Sequence, residues 1–146
     1  MGVSTIEWKE IWCRDTSVNS ASDKNLKKDI DFFPIEYDVF FDNLLPVRYK
    51  FIVNDSDRYH SGFISQEVEE ALKKANLTGQ DFGGFLKFKR ENNVEGYGLR
   101  YGEFIALNTW QIQKLKPRVS LLEQTIIDYE SRISHLETEI ENLKNS

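Results

Sequence analysis

The chain has 146 residues, of which 40% are apolar and 29% charged, room for one globular domain and little more. Its formal charge of −5 argues against general nucleic-acid binding. Cys13 is the single cysteine, which rules out an intrachain disulfide and fits a reducing compartment. No apolar run approaches the roughly 18 residues of a membrane span, and the N-terminus lacks a signal peptide's apolar core. Methionine occurs only at position 1, which reads as a start set on a piece from the end of a larger protein.

Residues 3–14 partly alternate apolar and polar, with Trp8 and Trp12 four apart; strand and short amphipathic turn both stay open. Residues 15–25 are rich in Ser, Asp and Asn and predict a loop. Aromatics then crowd the chain from Phe32 to Phe51. A short helix is expected over 36–44, stopped by Pro46. A strand is expected over 47–53, a turn at 54–57 and a short strand over 62–64. Ser65 is expected to cap a helix with Glu67 and Glu69 in its first turn, running to about Ala75. Residues 85–89 alternate and are expected to pair with 97–101 across Asn92 and Asn93. From about Gly102 the pattern is helical to the end.

That last stretch carries an unbroken three–four repeat: Ile112, Leu115, Val119, Leu122, Ile126, Tyr129, Ile133, Leu136, Ile140 and Leu143. It is a coiled-coil seam. Pro117 falls on the outer face, so the regular bundle is expected to begin near Arg118 and to extend roughly 40 Å at about 1.5 Å per residue. In a parallel bundle Arg118 faces Glu123, Arg132 faces Glu137 and Glu139 faces Lys144 of the next chain. Each exposed pair contributes at most about 1 kcal/mol, so orientation is the main gain. β-Branched residues at the first seam position with Leu at the fourth favour two strands. Two Arg-apolar-x-x-Leu-Glu runs, 118–123 and 132–137, resemble a trimer-specifying motif in which the Arg stem covers the core. A parallel trimer is the preferred reading. The alternative is a long helix packed on its own domain.

Ser22-Asp23 followed by Lys24, Lys27 and Lys28 has two readings. One is a helix N-cap with a solvated basic face. The other starts from the lysines, which a helix N-terminus disfavours and whose mutual repulsion is expected to favour a neutral amine. A neutral lysine amine takes a proton from a serine hydroxyl and activates it as a nucleophile.

Four blocks resemble the C-terminal intramolecular chaperone and auto-processing domain of phage tail spikes, tail fibres and neck appendages, the endosialidase-type chaperones. They are Ser22-Asp-Lys-Asn-Leu-Lys-Lys-Asp-Ile30, Leu45-Pro-Val-Arg-Tyr-Lys50, His60-Ser-Gly-Phe-Ile-Ser-Gln-Glu-Val68 and Tyr97-Gly-Leu-Arg-Tyr-Gly-Glu-Phe-Ile-Ala-Leu107. Ser65 stands where Ala is more usual. The resemblance implies a homotrimeric chaperone that folds and trimerises the fibre upstream of it in the same chain. It then implies self-release by a single-turnover serine–lysine peptidase reaction between Ser22 and Asp23. The implied dyad is Ser22 with Lys27; His60 is implicated in processing, as an orienting or a structural group. Gln66 and Glu67 match without an assigned chemistry. No metal, cofactor, nucleic acid or membrane partner is implied.

The expected fold is α+β, a small domain of short strands and helices followed by a long C-terminal helix in a parallel trimeric coiled coil. The expected divisions are 1–22, the end of the fibre; 23–116, the auto-processing domain; and 117–146, the trimerisation helix. Trp8 and Trp12 would pack in the fibre stalk, and His135 would be solvated surface. The expected setting is the host cytoplasm during virion assembly, with the fibre in the tail and the cut domain released. Two other classes remain: a trimerisation cap of a fibrous protein that does not cut, and a membrane-tethered transcription regulator with a related self-cleaving domain. The second would need a DNA-binding domain and a membrane span.

Overall fold

Pro34 opens the first helix, because the Pro34 and Ile35 carbonyls accept from the backbone N–H groups of Tyr37 and Asp38 at 3.1 and 3.0 Å. The computed structural model describes residues 21–52, 57–90 and 93–145. Trp8, Trp12, Cys13, most of the 54–57 turn and Asn92 lie outside the described residues. Helix α1 spans Glu36–Asp42, and Asn43 closes it by donating through Nδ2 to the Val39 carbonyl at 2.8 Å. Tyr37 and Phe40 are its buried residues. The Phe40 ring lies 5.0 Å from Phe82, and the Tyr37 hydroxyl donates to the Asp81 carbonyl.

Helix α2, Ser65–Lys74, presents Val68, Ala71, Leu72 and Ala75 to the core, all at most 3% exposed. That is the i, i+3, i+4, i+7 stripe of a half-buried helix. Burying Phe40, Leu72 or Val68 contributes about 1.5–3 kcal/mol each. The expectation that Ser65 caps α2 is corrected. Ile64 holds the extended cap conformation and makes no side-chain cap bond, so Ser65 is the first helical residue. At the other end Asn76 takes a left-handed φ of 56°. Leu77 N–H then reaches the Leu72 carbonyl at 2.9 Å, and Asn76 N–H the Lys73 carbonyl at 3.0 Å. This double closure ends a helix with a left-handed residue just past it.

Two separate antiparallel hairpins complete the first unit. Strands β1, Val47–Tyr49, and β2, His60–Gly62, pair with Tyr49 opposite His60. β1 is shorter than the expected 47–53, and β2 keeps the expected length of three residues but starts two residues before the expected 62–64. Strands β3, Phe85–Lys89, and β4, Glu95–Leu99, pair with Phe85 opposite Leu99. The expected partner 97–101 is therefore two residues too late. The turn sets the register: Arg90 N–H meets the Val94 carbonyl at 2.8 Å, Asn93 N–H meets the Arg90 carbonyl at 2.9 Å, and Asn93 has φ 59°. Gly96 sits opposite Phe88, whose ring occupies the space a Cβ would need.

The chain divides into two compact units, one ending at Tyr101 and the other beginning at Gly102. Helix α3, Tyr101–Lys144, runs through Pro117 without interruption. A proline there removes one backbone donor. The mixed α+β content and the long C-terminal helix agree with the sequence expectation.

Candidate functional site

Ser22 and Lys27 are joined by a single turn. Asp23, with φ −63° and ψ 133°, caps a 3-10 turn over Lys24–Leu26. Its carboxylate accepts from Asn25 N–H at 2.9 Å. The Asp23 carbonyl accepts from Leu26 N–H at 3.0 Å, and the Lys24 carbonyl from Lys27 N–H at 3.1 Å. An extended chain would hold Ser22 and Lys27 about 17 Å apart at roughly 3.4 Å per residue. The turn folds that span back, and Lys27 Nζ donates to Ser22 Oγ at 2.7 Å. Both residues are exposed, and the turn buries none of its side chains. The capping and the serine–lysine readings of this segment are thus compatible: Asp23 makes the cap, and the Ser22 hydroxyl is held by the amine.

His60 lies elsewhere in the first unit, at the start of β2 and half-buried. Its ring stacks on Tyr49 at 5.8 Å and meets Phe51 edge-on at 4.9 Å. Gln66 and Glu67 are exposed on the first turn of α2. They line a groove of about 190 Å³ with Leu45 and Ala71.

The seam residues of α3 are all exposed in the single chain, from 49% at Val119 to 76% at Leu143. Val119, Leu122, Ile126, Tyr129, Ile133, Leu136, Ile140 and Leu143 form one apolar stripe, flanked by the exposed Arg118, Glu123, Arg132 and Glu137. His135 is exposed as expected and lies 3.9 Å from Glu139.

Two features escaped the sequence. Tyr101 is hydrogen-bonded to Tyr49; burial, then Tyr101, raises the Tyr49 pKa. Lys87 stands 3.4 Å from both Glu69 and Glu95 and 5.2 Å above the Tyr97 ring. Hydrogen bonds to Tyr97, Glu95 and Glu69 push its pKa up. Lys87 and Tyr97 are direct cross-strand partners, a pairing legible only once the register is known. Among the described residues no group of three or more His, Cys, Asp and Glu is placed to hold a metal ion. No helix among them is long and apolar enough to cross a membrane.

An α+β unit followed in the chain by one long helix with an exposed apolar stripe is the class of molecule this fold defines. Residues 22–77 match the family described as chaperone of endosialidase, the family the sequence blocks resemble. No curated protein matches the chain. A solved structure of a novel intramolecular chaperone is similar at 21% identity and TM-score 0.53, covering 66% of this chain and 99% of its own. The carboxy-terminal domain of the bacteriophage T5 L-shaped tail fibre, solved with its intramolecular chaperone domain, is similar at 17% identity and TM-score 0.54. That likeness covers 82% of this chain and 34% of the fibre structure.

Proposed function

We propose that this chain is the intramolecular chaperone of a phage tail fibre or related appendage, that it works as a homotrimer, and that it releases itself by cutting between Ser22 and Asp23. The observation that carries the reading is the 2.7 Å contact between Lys27 Nζ and Ser22 Oγ, at the residue where the family match begins.

The trimer forms first, through the α3 seam. Tethering three fibre ends replaces a slow three-body encounter with a high effective concentration. The fibre upstream of residue 23 then folds in register. At the turn, a deprotonated Lys27 amine takes the Ser22 hydroxyl proton as the oxygen adds to the carbonyl carbon of the Ser22–Asp23 amide. The same amine gives that proton to the departing Asp23 nitrogen as the C–N bond breaks, which leaves an acyl ester on the Ser22 oxygen. One water then hydrolyses the ester, so that overall the amide is exchanged for a Ser22 carboxylate and an Asp23 amine, and the Ser22 hydroxyl is restored. Each chain reacts once. His60 supports processing through the Tyr49–Phe51 ring cluster. The reaction belongs in the host cytoplasm during virion assembly; the fibre goes to the tail and the cut domain leaves. Loss of the fragment that templated assembly makes the fibre kinetically hard to unfold.

The test is Ser22→Ala and Lys27→Ala in the full chain, followed by intact-mass spectrometry. Both variants should stay uncut. A fragment beginning at Asp23 from the serine variant would eliminate the dyad, and an uncut wild-type trimer after prolonged incubation would favour the non-cutting cap.

A further inference from the structure

We propose that Asp23 is a positioning residue for the self-cleavage, acting through the turn its carboxylate caps; this rests on the Ser22–Lys27 reading above. The residue on the leaving side of the cut would then also assemble the pair that makes the cut.

The argument is local. Three hydrogen bonds wind the chain between Ser22 and Lys27: Asn25 N–H to Asp23 Oδ1 at 2.9 Å, Leu26 N–H to the Asp23 carbonyl at 3.0 Å, and Lys27 N–H to the Lys24 carbonyl at 3.1 Å. Two of the three end on Asp23. No side chain of the turn is buried, and Leu26 is 72% exposed. Packing therefore does little to hold the turn, and short helical turns without packing are marginal in water. Under those conditions a side-chain cap, which satisfies a backbone N–H that the helix leaves without a partner, decides whether the turn persists. When the turn opens, the five-residue span lengthens and Lys27 leaves Ser22. Asp23 thus touches neither reacting proton and still sets how often the pair is assembled.

The experiment compares cleavage rates of Asp23→Ala, Asp23→Asn and Asp23→Ser in the full chain, with Ser22→Ala as the reference and sedimentation to verify the trimer. Asn and Ser cap as well as Asp, whereas Ala does not. Asp23→Ala should cut about 2- to 30-fold more slowly, the range a lost cap implies. Asp23→Asn and Asp23→Ser should stay within about 2-fold of the wild type. Wild-type cutting by Asp23→Ala overturns the proposal. So does a loss in Asp23→Asn and Asp23→Ser equal to that in Asp23→Ala, because the carboxylate would then act by its charge or chemistry. Cutting by Ser22→Ala would instead sink the underlying serine–lysine reading and is recognisable as such.

Discussion

The Tyr101 hydroxyl accepts the Phe63 backbone N–H at 3.1 Å, and the two rings stack 6.4 Å apart. The last residue of the first unit is thereby fastened to the chain just after β2. Tyr101→Phe removes the hydroxyl that accepts from Phe63 and partners Tyr49. It should cost about 0.5–1.5 kcal/mol, read as a lower urea midpoint. Gly62→Ala should also destabilise, by about 1–3 kcal/mol, since its Cβ would meet the Tyr101 hydroxyl.

The Thr78–Asp81 turn predicts an acid sensitivity. Thr78 donates its backbone N–H and its hydroxyl to Asp81 Oδ2, each at 2.7 Å. The hydroxyl bond, then the backbone bond, lowers the Asp81 pKa below its ordinary 3.8. A lowered carboxylate stabilises the fold above the unfolded value and loses that contribution as pH falls through the folded one. The gap between the urea midpoints at pH 7 and pH 3 should therefore narrow in Thr78→Val. An unchanged gap between them would remove this turn from the acid response.

Assembly should follow the α3 seam. Ile133→Asp places a charge in the proposed trimer core and should shift sedimentation to a monomer at micromolar concentration. Arg132→Glu should weaken the trimer, by at most about 1 kcal/mol per pair. Reversing Arg132 and Glu137 together should restore it. A trimer unmoved by Ile133→Asp would place the interface elsewhere.

The His60 ring touches both Tyr49 and Phe51, whose own rings lie 5.4 Å apart, and substitutions there separate a structural role from a chemical one. His60→Phe keeps an aromatic ring there and should cut near the wild-type rate. His60→Ala removes two ring contacts worth about 0.5–1.5 kcal/mol each and should cut more slowly. Equal failure of both variants would point to the imidazole itself.

Ser22 and Lys27 meet within one chain. Mixed trimers of Ser22→Ala and Lys27→Ala chains should therefore stay intact on a denaturing gel. Cutting in the mixture would mean that serine and lysine from different chains cooperate.

Most elements were legible because their signals are local. The Val68–Ala75 stripe announces α2, and the run of alternating residues announces β3. The heptad spacing from Ile112 to Leu143 needs no tertiary knowledge. The errors fall where geometry beyond the pattern decides. Alternation cannot tell 95–99 from 97–101, because both keep Tyr97 and Leu99 on one face; the left-handed Asn93 turn makes the choice. Ser65 looked like a cap because its residue type suits one, while the backbone of Ile64 takes that position. At the candidate site, the five-residue spacing suggested the Ser22–Lys27 pair. That the competing cap would build the pair was invisible without the path of the 3-10 turn.

The short loop from Ser22 to Lys27 straddles the bond proposed to break, which gives the event the character of a fuse. A cut there would leave the hydroxyl on one product and the amine on the other. Neither fragment would retain the means to reseal the chain or to attack a second one. The number of free Asp23 amino termini in a preparation would then be a running tally of matured chains, readable long after assembly has ended.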